Sequence, residues 1–119
     1  MKNELKAQLT EAVRLKERGE FGAAEKILVE LSAQDPDSKA ILAVLGQVYW
    51  EMKRLDEAVE IFQRTVALAP ESEAISLGLF HCLWDSGKRE EALEEIKRFT
   101  LVSDSPAYTE IVQEINAKW

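Results

Sequence analysis

His81, Cys82 and Asp85 lie within one helical turn or so of each other, and imidazole, thiolate and carboxylate are the side chains that hold transition metals. Their spacing argues against a shared ion. Neighbouring helical residues point about 100° apart, and no CxxC, HxxxH or second cysteine completes a ligand shell. The paired carboxylates Glu90-Glu91 and Glu94-Glu95, with Glu57 and Glu60, suggest general acid–base chemistry. Such pairs act only where a pocket separates their pKa values. On an exposed helix face, Glu94 with Lys97 or Arg98 reads as surface ion pairing. There is no glycine-rich phosphate loop or nucleophile elbow, and Ser32, Ser38 and Ser72 have no histidine partner nearby in sequence. The expectation is a chain without catalytic residues, metal or cofactor.

The elements that would carry these residues follow from a repeat. Ala24, Ala58 and Ala92 are spaced 34 residues apart within GEFGAAEKIL, KRLDEAVEIF and GKREEALEEI. Each is followed four positions later by a bulky apolar residue, Leu28, Phe62 or Ile96. A period of this length marks a solenoid of helix pairs, each burying its apolar face only against its neighbours. Pro36 and Pro70 repeat the 34-residue interval independently. Proline with acid or serine breaks the chain at 35–38, 69–72 and 103–106, and weaker breaks fall at Gly19, Lys53-Arg54 and Gly87. The pattern predicts helices over 3–18, 21–34, 38–52, 55–69, 72–86, 89–102 and 106–119, in one domain spanning 1–119. The repeats cover 5–38, 39–72 and 73–106, and the last helix acts as a cap, presenting Tyr108, Ile111, Val112, Ile115 and Trp119 on one face.

Composition narrows the function classes. The 119 residues are 46% hydrophobic and 31% charged, with five glycines, three prolines and a net charge of −7, as in a folded, acidic, soluble chain. That charge disfavours a surface tracking nucleic-acid phosphates. The longest apolar run, Ile41 to Leu45, is too short for a membrane span, and the first residues form no secretory signal. The lone Cys82 forms no internal disulfide, so a cytoplasmic location is expected.

The repeats resemble the tetratricopeptide repeat family, on Leu42, Leu45-Gly46, Tyr49, Ala58, Phe62 and Pro70 in the middle unit. The first unit matches through Leu15, Gly19, Phe21, Ala24, Leu28 and Pro36, with Gln8 and Glu11 at positions that are usually apolar. The third keeps Leu79, Leu83, Gly87, Ala92 and Ile96, but has Phe80 and Phe99 at small positions and Asp104 for proline. The resemblance implies an all-α, right-handed superhelical solenoid whose first helices line a concave groove for a partner protein.

Carried onto this sequence, the groove-facing positions are Leu9, Val13 and Lys16, then Ala40, Ala43, Val44, Gln47 and Trp50, then Leu77, His81, Trp84 and Asp85. Glu17, Glu51, Ala74 and Gly78 occupy the same rows. One branch of the family clamps a C-terminal carboxylate with Lys, Asn and Arg. The matching positions here are Leu9, Val13, Val44, Ala74 and Gly78, none a donor, so a carboxylate-clamp ligand is not expected. Trp50 and Trp84 either wall the groove for an apolar segment or pack on the adjacent helix. His81 is either a polar groove residue or a group that tunes binding near neutral pH. The leading expectation is a protein or peptide partner, with no nucleic acid and no membrane. Two alternatives are a homo-oligomer paired through Leu5, Leu9, Ile111, Ile115 and Trp119, and a dedicated chaperone or neutralising partner of one protein.

Overall fold

A computed structural model describes residues 2–118, which form seven α-helices and no strand. They are α1 (Asn3–Glu17), α2 (Phe21–Gln34), α3 (Lys39–Glu51), α4 (Leu55–Leu68), α5 (Glu73–Asp85), α6 (Arg89–Thr100) and α7 (Pro106–Lys118). Trp119, assigned to the cap stripe from the sequence, lies outside the described residues. Consecutive helices pack as hairpins up to α6, and α1, α3 and α5 also touch in series, so the first helices form one layer and the second helices another. The assembly measures 45 × 26 × 20 Å.

Local chemistry sets each boundary. Ser38, Ser72 and Ser105 each accept a backbone N–H three residues on, from Ile41, Ile75 and Tyr108, capping α3, α5 and α7. Pro106 follows its cap as the first helical residue, where a missing N–H costs nothing. Asp35 and Ala69, before Pro36 and Pro70, are driven to extended backbone (φ −139° and −141°), which ends α2 and α4. No proline stands two residues beyond α6 as it does beyond α2 and α4. It stops at Thr100, two residues short of the expected end, and leaves Leu101 83% exposed in the connecting turn.

The turn inside each hairpin is the same structure three times. The N–H groups of Glu20, Arg54 and Lys88 donate to the carbonyls of Leu15, Tyr49 and Leu83 at 2.8–2.9 Å. Those of Gly19, Lys53 and Gly87 donate to Lys16, Trp50 and Trp84 at 3.0 Å. This pairing closes a helix through a left-handed residue, and φ is +79°, +63° and +80° at the three positions. Lysine occupies the middle one. The left-handed conformation costs a non-glycine residue about 1–2 kcal/mol, offset in part by the extra unfolded-state freedom of glycine, about 0.4–1 kcal/mol. Lys53→Gly is therefore expected to stabilise the fold by about 0.5–1 kcal/mol, a gain that urea denaturation will read directly.

The core is continuous between layers. Leu28 and Leu31 from α2 meet Ile41, Leu42, Leu45 and Val48 from α3, followed by Phe62 and Val66, then Leu79, Leu83, Ile96 and Phe99. Gln8 is exposed and Glu11 pairs with Arg14 at 2.7 Å, so α1 accommodates both at the solvent-facing end. Phe80 and Phe99, which replace small residues, admit Tyr108 from α7. Each lies 5.8 Å from the Tyr108 ring in an edge-to-face arrangement. Ile111, Val112 and Ile115 continue that face half-buried.

One expectation is corrected here. Glu95 does not stand on a solvated face: it is 6% exposed. Ser76 donates to it at 2.6 Å, and Arg98 binds both its carboxylate oxygens at 2.9 and 2.6 Å. The Ser76 proton being committed to Glu95, the Tyr108 hydroxyl donates to Ser76 at 2.7 Å. Burial pushes the Tyr108 phenol up to about 12, keeping it a donor. The carboxylate is buried because α7 covers a helix face that a three-repeat pattern alone leaves open.

Candidate protein-binding groove

Two adjoining clefts open on the layer of first helices, one on either side of α3. The first lies between α3 and α5, encloses about 230 Å³ and is mostly apolar. Ala43, Gln47 and Trp50 form its α3 side; Ala74, Leu77, Gly78 and His81 form its α5 side, together with Ile75. Its floor is Phe62, which belongs to α4 and reaches through from the other layer.

That reach explains two mid-helix glycines. A Cβ on Gly46 would lie 2.8 Å from the Phe62 ring, and one on Gly78 would lie 2.5 Å from it. The ring is held between α3 and α5 where neither helix carries a side chain, and it is only 3% exposed. Glycine inside a helix costs roughly 0.5–1 kcal/mol relative to alanine; here that loss admits an aromatic floor.

The second cleft, about 490 Å³, lies between α1 and α3. Lys16 and Glu17 line it from α1, Gly19 and Phe21 from the turn and the start of α2, and Gln47, Trp50 and Glu51 from α3. Lys16 Nζ donates to Gln47 Oε1 at 2.8 Å across the cleft. Trp50 and Gln47 belong to both clefts, so the indole is the partition between them.

Trp50 is fixed by the next repeat. Its Nε1–H donates to Asp85 Oδ2 at 2.7 Å, and its ring stacks on His81 at 6.2 Å and 24°. The indole thus packs on the adjacent helix and lines the groove together. Trp84, its counterpart 34 residues on, stacks on Phe80 at 5.8 Å beneath the Arg89 guanidinium at 4.8 Å; the position matching Asp85 is Trp119, outside the described residues. The residue four positions back differs between the two repeats. Gly46 offers Trp50 nothing to stack on, whereas Phe80 offers Trp84 a ring.

Of the expected groove residues, the structure gathers Lys16, Ala43, Gln47, Trp50, Leu77 and His81 around the clefts. Leu9, Val13, Ala40, Val44 and Trp84 line neither, and Asp85 acts through Trp50. Leu9, Val13 and Val44 are half-buried and Ala40 is exposed. Phe62 and Ile75 were missed by sequence reasoning, although the glycine pair Gly46 and Gly78 was a signal for a close approach. His81 and Cys82 diverge as helical geometry requires: His81 is exposed, while Cys82 is 1% exposed, its thiol pushed up to about 12 by burial. Among the described residues no group of three His, Cys, Asp or Glu side chains is placed to share a metal ion. No described helix is long and apolar enough to cross a membrane.

Comparison with known proteins bears on the family and the fold. The family model described as Tetratricopeptide repeat matches residues 15–70 and 51–115. No curated protein matches the sequence. Among solved structures, the Yersinia enterocolitica type III secretion translocator chaperone SycD, in complex with a peptide of the translocator YopD, superposes with a TM-score of 0.82 at 17% identity. That match covers 98% of this chain and 90% of SycD. A point mutant of MamA gives 0.77 at 18% identity over 87% of this chain and 76% of its own. The second repeat domain of Spaghetti (RPAP3), bound to the HSP90 peptide SRMEEVD, gives 0.76 at 14% identity over 85% and 94%. At these identities the likeness is one of fold.

Proposed function

Because the chain belongs to the tetratricopeptide repeat family, we propose that it is a non-enzymatic protein-interaction module holding an apolar segment of a partner protein in the groove. The observation that carries this reading is the apolar cleft floored by Phe62 and walled by Trp50. A concave surface with a rigid aromatic partition and small residues on both sides suits an inserted side chain of the partner. SycD and Spaghetti, of the same fold, have been solved with peptides bound.

The ligand is not a C-terminal carboxylate held by a cationic clamp. Among the residues lining the two clefts Lys16 is the sole cation, and Gln47 already holds it. Hydroxyl and carboxylate groups elsewhere form structural bonds, as in Ser76–Glu95 and Ser105–Glu73 (both 2.6 Å), rather than a nucleophile and its base.

Ala74→Glu tests this directly. Ala74 is exposed, lies in the first turn of α5 and borders the cleft, so an acidic side chain there suits the helix N-terminus while placing charge over apolar surface. In affinity capture from the native cell extract, the expected result is a protein retained by the wild type and lost by Ala74→Glu, with unchanged circular dichroism. Equal retention by both would move the binding site off the groove.

A further inference from the structure

We propose that the groove reads two features of its ligand at once: an apolar side chain, and a lysine or arginine about three residues away along an extended segment. This rests on the groove being the binding site.

The apolar residue enters the cleft over Phe62. The cation enters the cleft on the other side of Trp50, where the chemistry changes. Glu17 and Glu51 line that space with the Trp50 indole and the Phe21 ring. Both carboxylates are exposed, and neither forms an ion pair or hydrogen bond with another described side chain. Glu60 and Glu94 on the second helices are unpaired among the described residues too, but neither lines a cleft with an aromatic wall. Glu11, Glu20, Glu25, Glu57 and Glu95 all hold an arginine. Asp85, which continues the 34-residue row of Glu17 and Glu51, is taken by Trp50. Lys16 contributes one positive charge against two negative ones, and its ammonium is turned to Gln47. The cleft is therefore net negative, with an aromatic wall, which is the setting that attracts an ammonium or guanidinium group both by charge and by the ring face.

Geometry sets the spacing. The clefts flank a single helix, so their centres are separated by about one interhelical distance, roughly 8–10 Å. An extended segment of the polyproline II type rises about 3.1 Å per residue with three residues per turn, so an apolar side chain and a basic one about three residues apart face the same way and fill both clefts. The carboxylates at 17 and 51 thus select for charge, and the Phe62 cleft for bulk.

The test is selection of a random 12-residue peptide library, displayed on phage, against the folded protein, Glu17→Gln/Glu51→Gln and Ala74→Glu. The expected result is wild-type enrichment of a bulky apolar residue with Lys or Arg about three positions away. The Gln pair should retain the apolar preference and lose the basic one, and Ala74→Glu should retain neither. A synthetic peptide of the selected sequence should bind the Gln pair about fivefold or more weakly than wild type. Its own basic residue changed to Gln should produce the same loss in wild type and almost none in the Gln pair. Enrichment of apolar residues without Lys or Arg, or unchanged affinity of the Gln pair, would overturn the charge selection and leave the groove standing. Peptides that Ala74→Glu binds as well as wild type would overturn the groove itself.

Discussion

Phe62→Ala should be the most damaging single truncation in the chain, costing about 3–5 kcal/mol and lowering the melting temperature by about 10–20 °C. The ring is 3% exposed and sits where Gly46 of α3 and Gly78 of α5 meet it, so its removal leaves a void that three helices border. Backbones already brought this close cannot collapse further without moving both hairpins. The account makes a sharper statement about sign. Gly78→Ala in the wild type places a Cβ 2.5 Å from the Phe62 ring. Overpacking costs about 1–3 kcal/mol, which exceeds the gain of about 1 kcal/mol in helix propensity. In the Phe62→Ala background the clash is gone, and the same substitution should become stabilising. A double-mutant cycle by urea denaturation measures this reversal; independent, additive effects would show that the ring is not wedged as described.

Arg98→Ala is expected to cost about 2–3 kcal/mol. It leaves the Glu95 carboxylate buried, with only the Ser76 hydroxyl to satisfy it. The full penalty of a broken buried pair is about 3–5 kcal/mol, and it is reduced here because the Arg98 side chain is 34% exposed and water can enter where it leaves. Arg98 also donates to the Pro70 carbonyl at 3.0 Å, tying α6 to the turn before α5. The loss should therefore reach α7, since Tyr108 is bonded through Ser76 to the same carboxylate. Amide hydrogen exchange will show faster exchange in α7 than in α1 for this variant. Arg98→Ala/Glu95→Gln should recover much of the stability, because a neutral amide removes the unpaired charge. No recovery would mean that the guanidinium acts through packing on Phe99, 5.9 Å away, and not through the carboxylate.

Most of the fold was legible because it rests on local rules repeated in phase. Serine caps at 38, 72 and 105, extended residues before Pro36 and Pro70, and left-handed closures at 19, 53 and 87 each act within a few residues. All seven helices accordingly begin and end within two residues of the expected bounds. The groove was less legible because its character depends on contacts between repeats. The Phe62 ring crosses from the second layer, and its place beneath the groove depends on glycine at 46 and 78 together. Trp50 and Trp84 occupy equivalent positions, yet Phe80 gives Trp84 a ring to stack on where Gly46 gives Trp50 none. Glu95 reads as solvated by periodicity, because only the docking of Tyr108 shows what covers it. Glu17 and Glu51 stood in the expected rows, but their lack of a cation was a property of three dimensions.

The central claim is that a partner segment lies in the groove between α1, α3 and α5. The most direct measurement is amide and indole chemical-shift mapping of the isotope-labelled chain, titrated with the peptide selected by the wild type. The account predicts the largest shifts at Ala43, Gln47, Ala74, Gly78 and His81, together with the Trp50 indole N–H that now points to Asp85. Shifts confined to the outer faces of α2, α4 and α6, with the Trp50 indole unmoved, would contradict it.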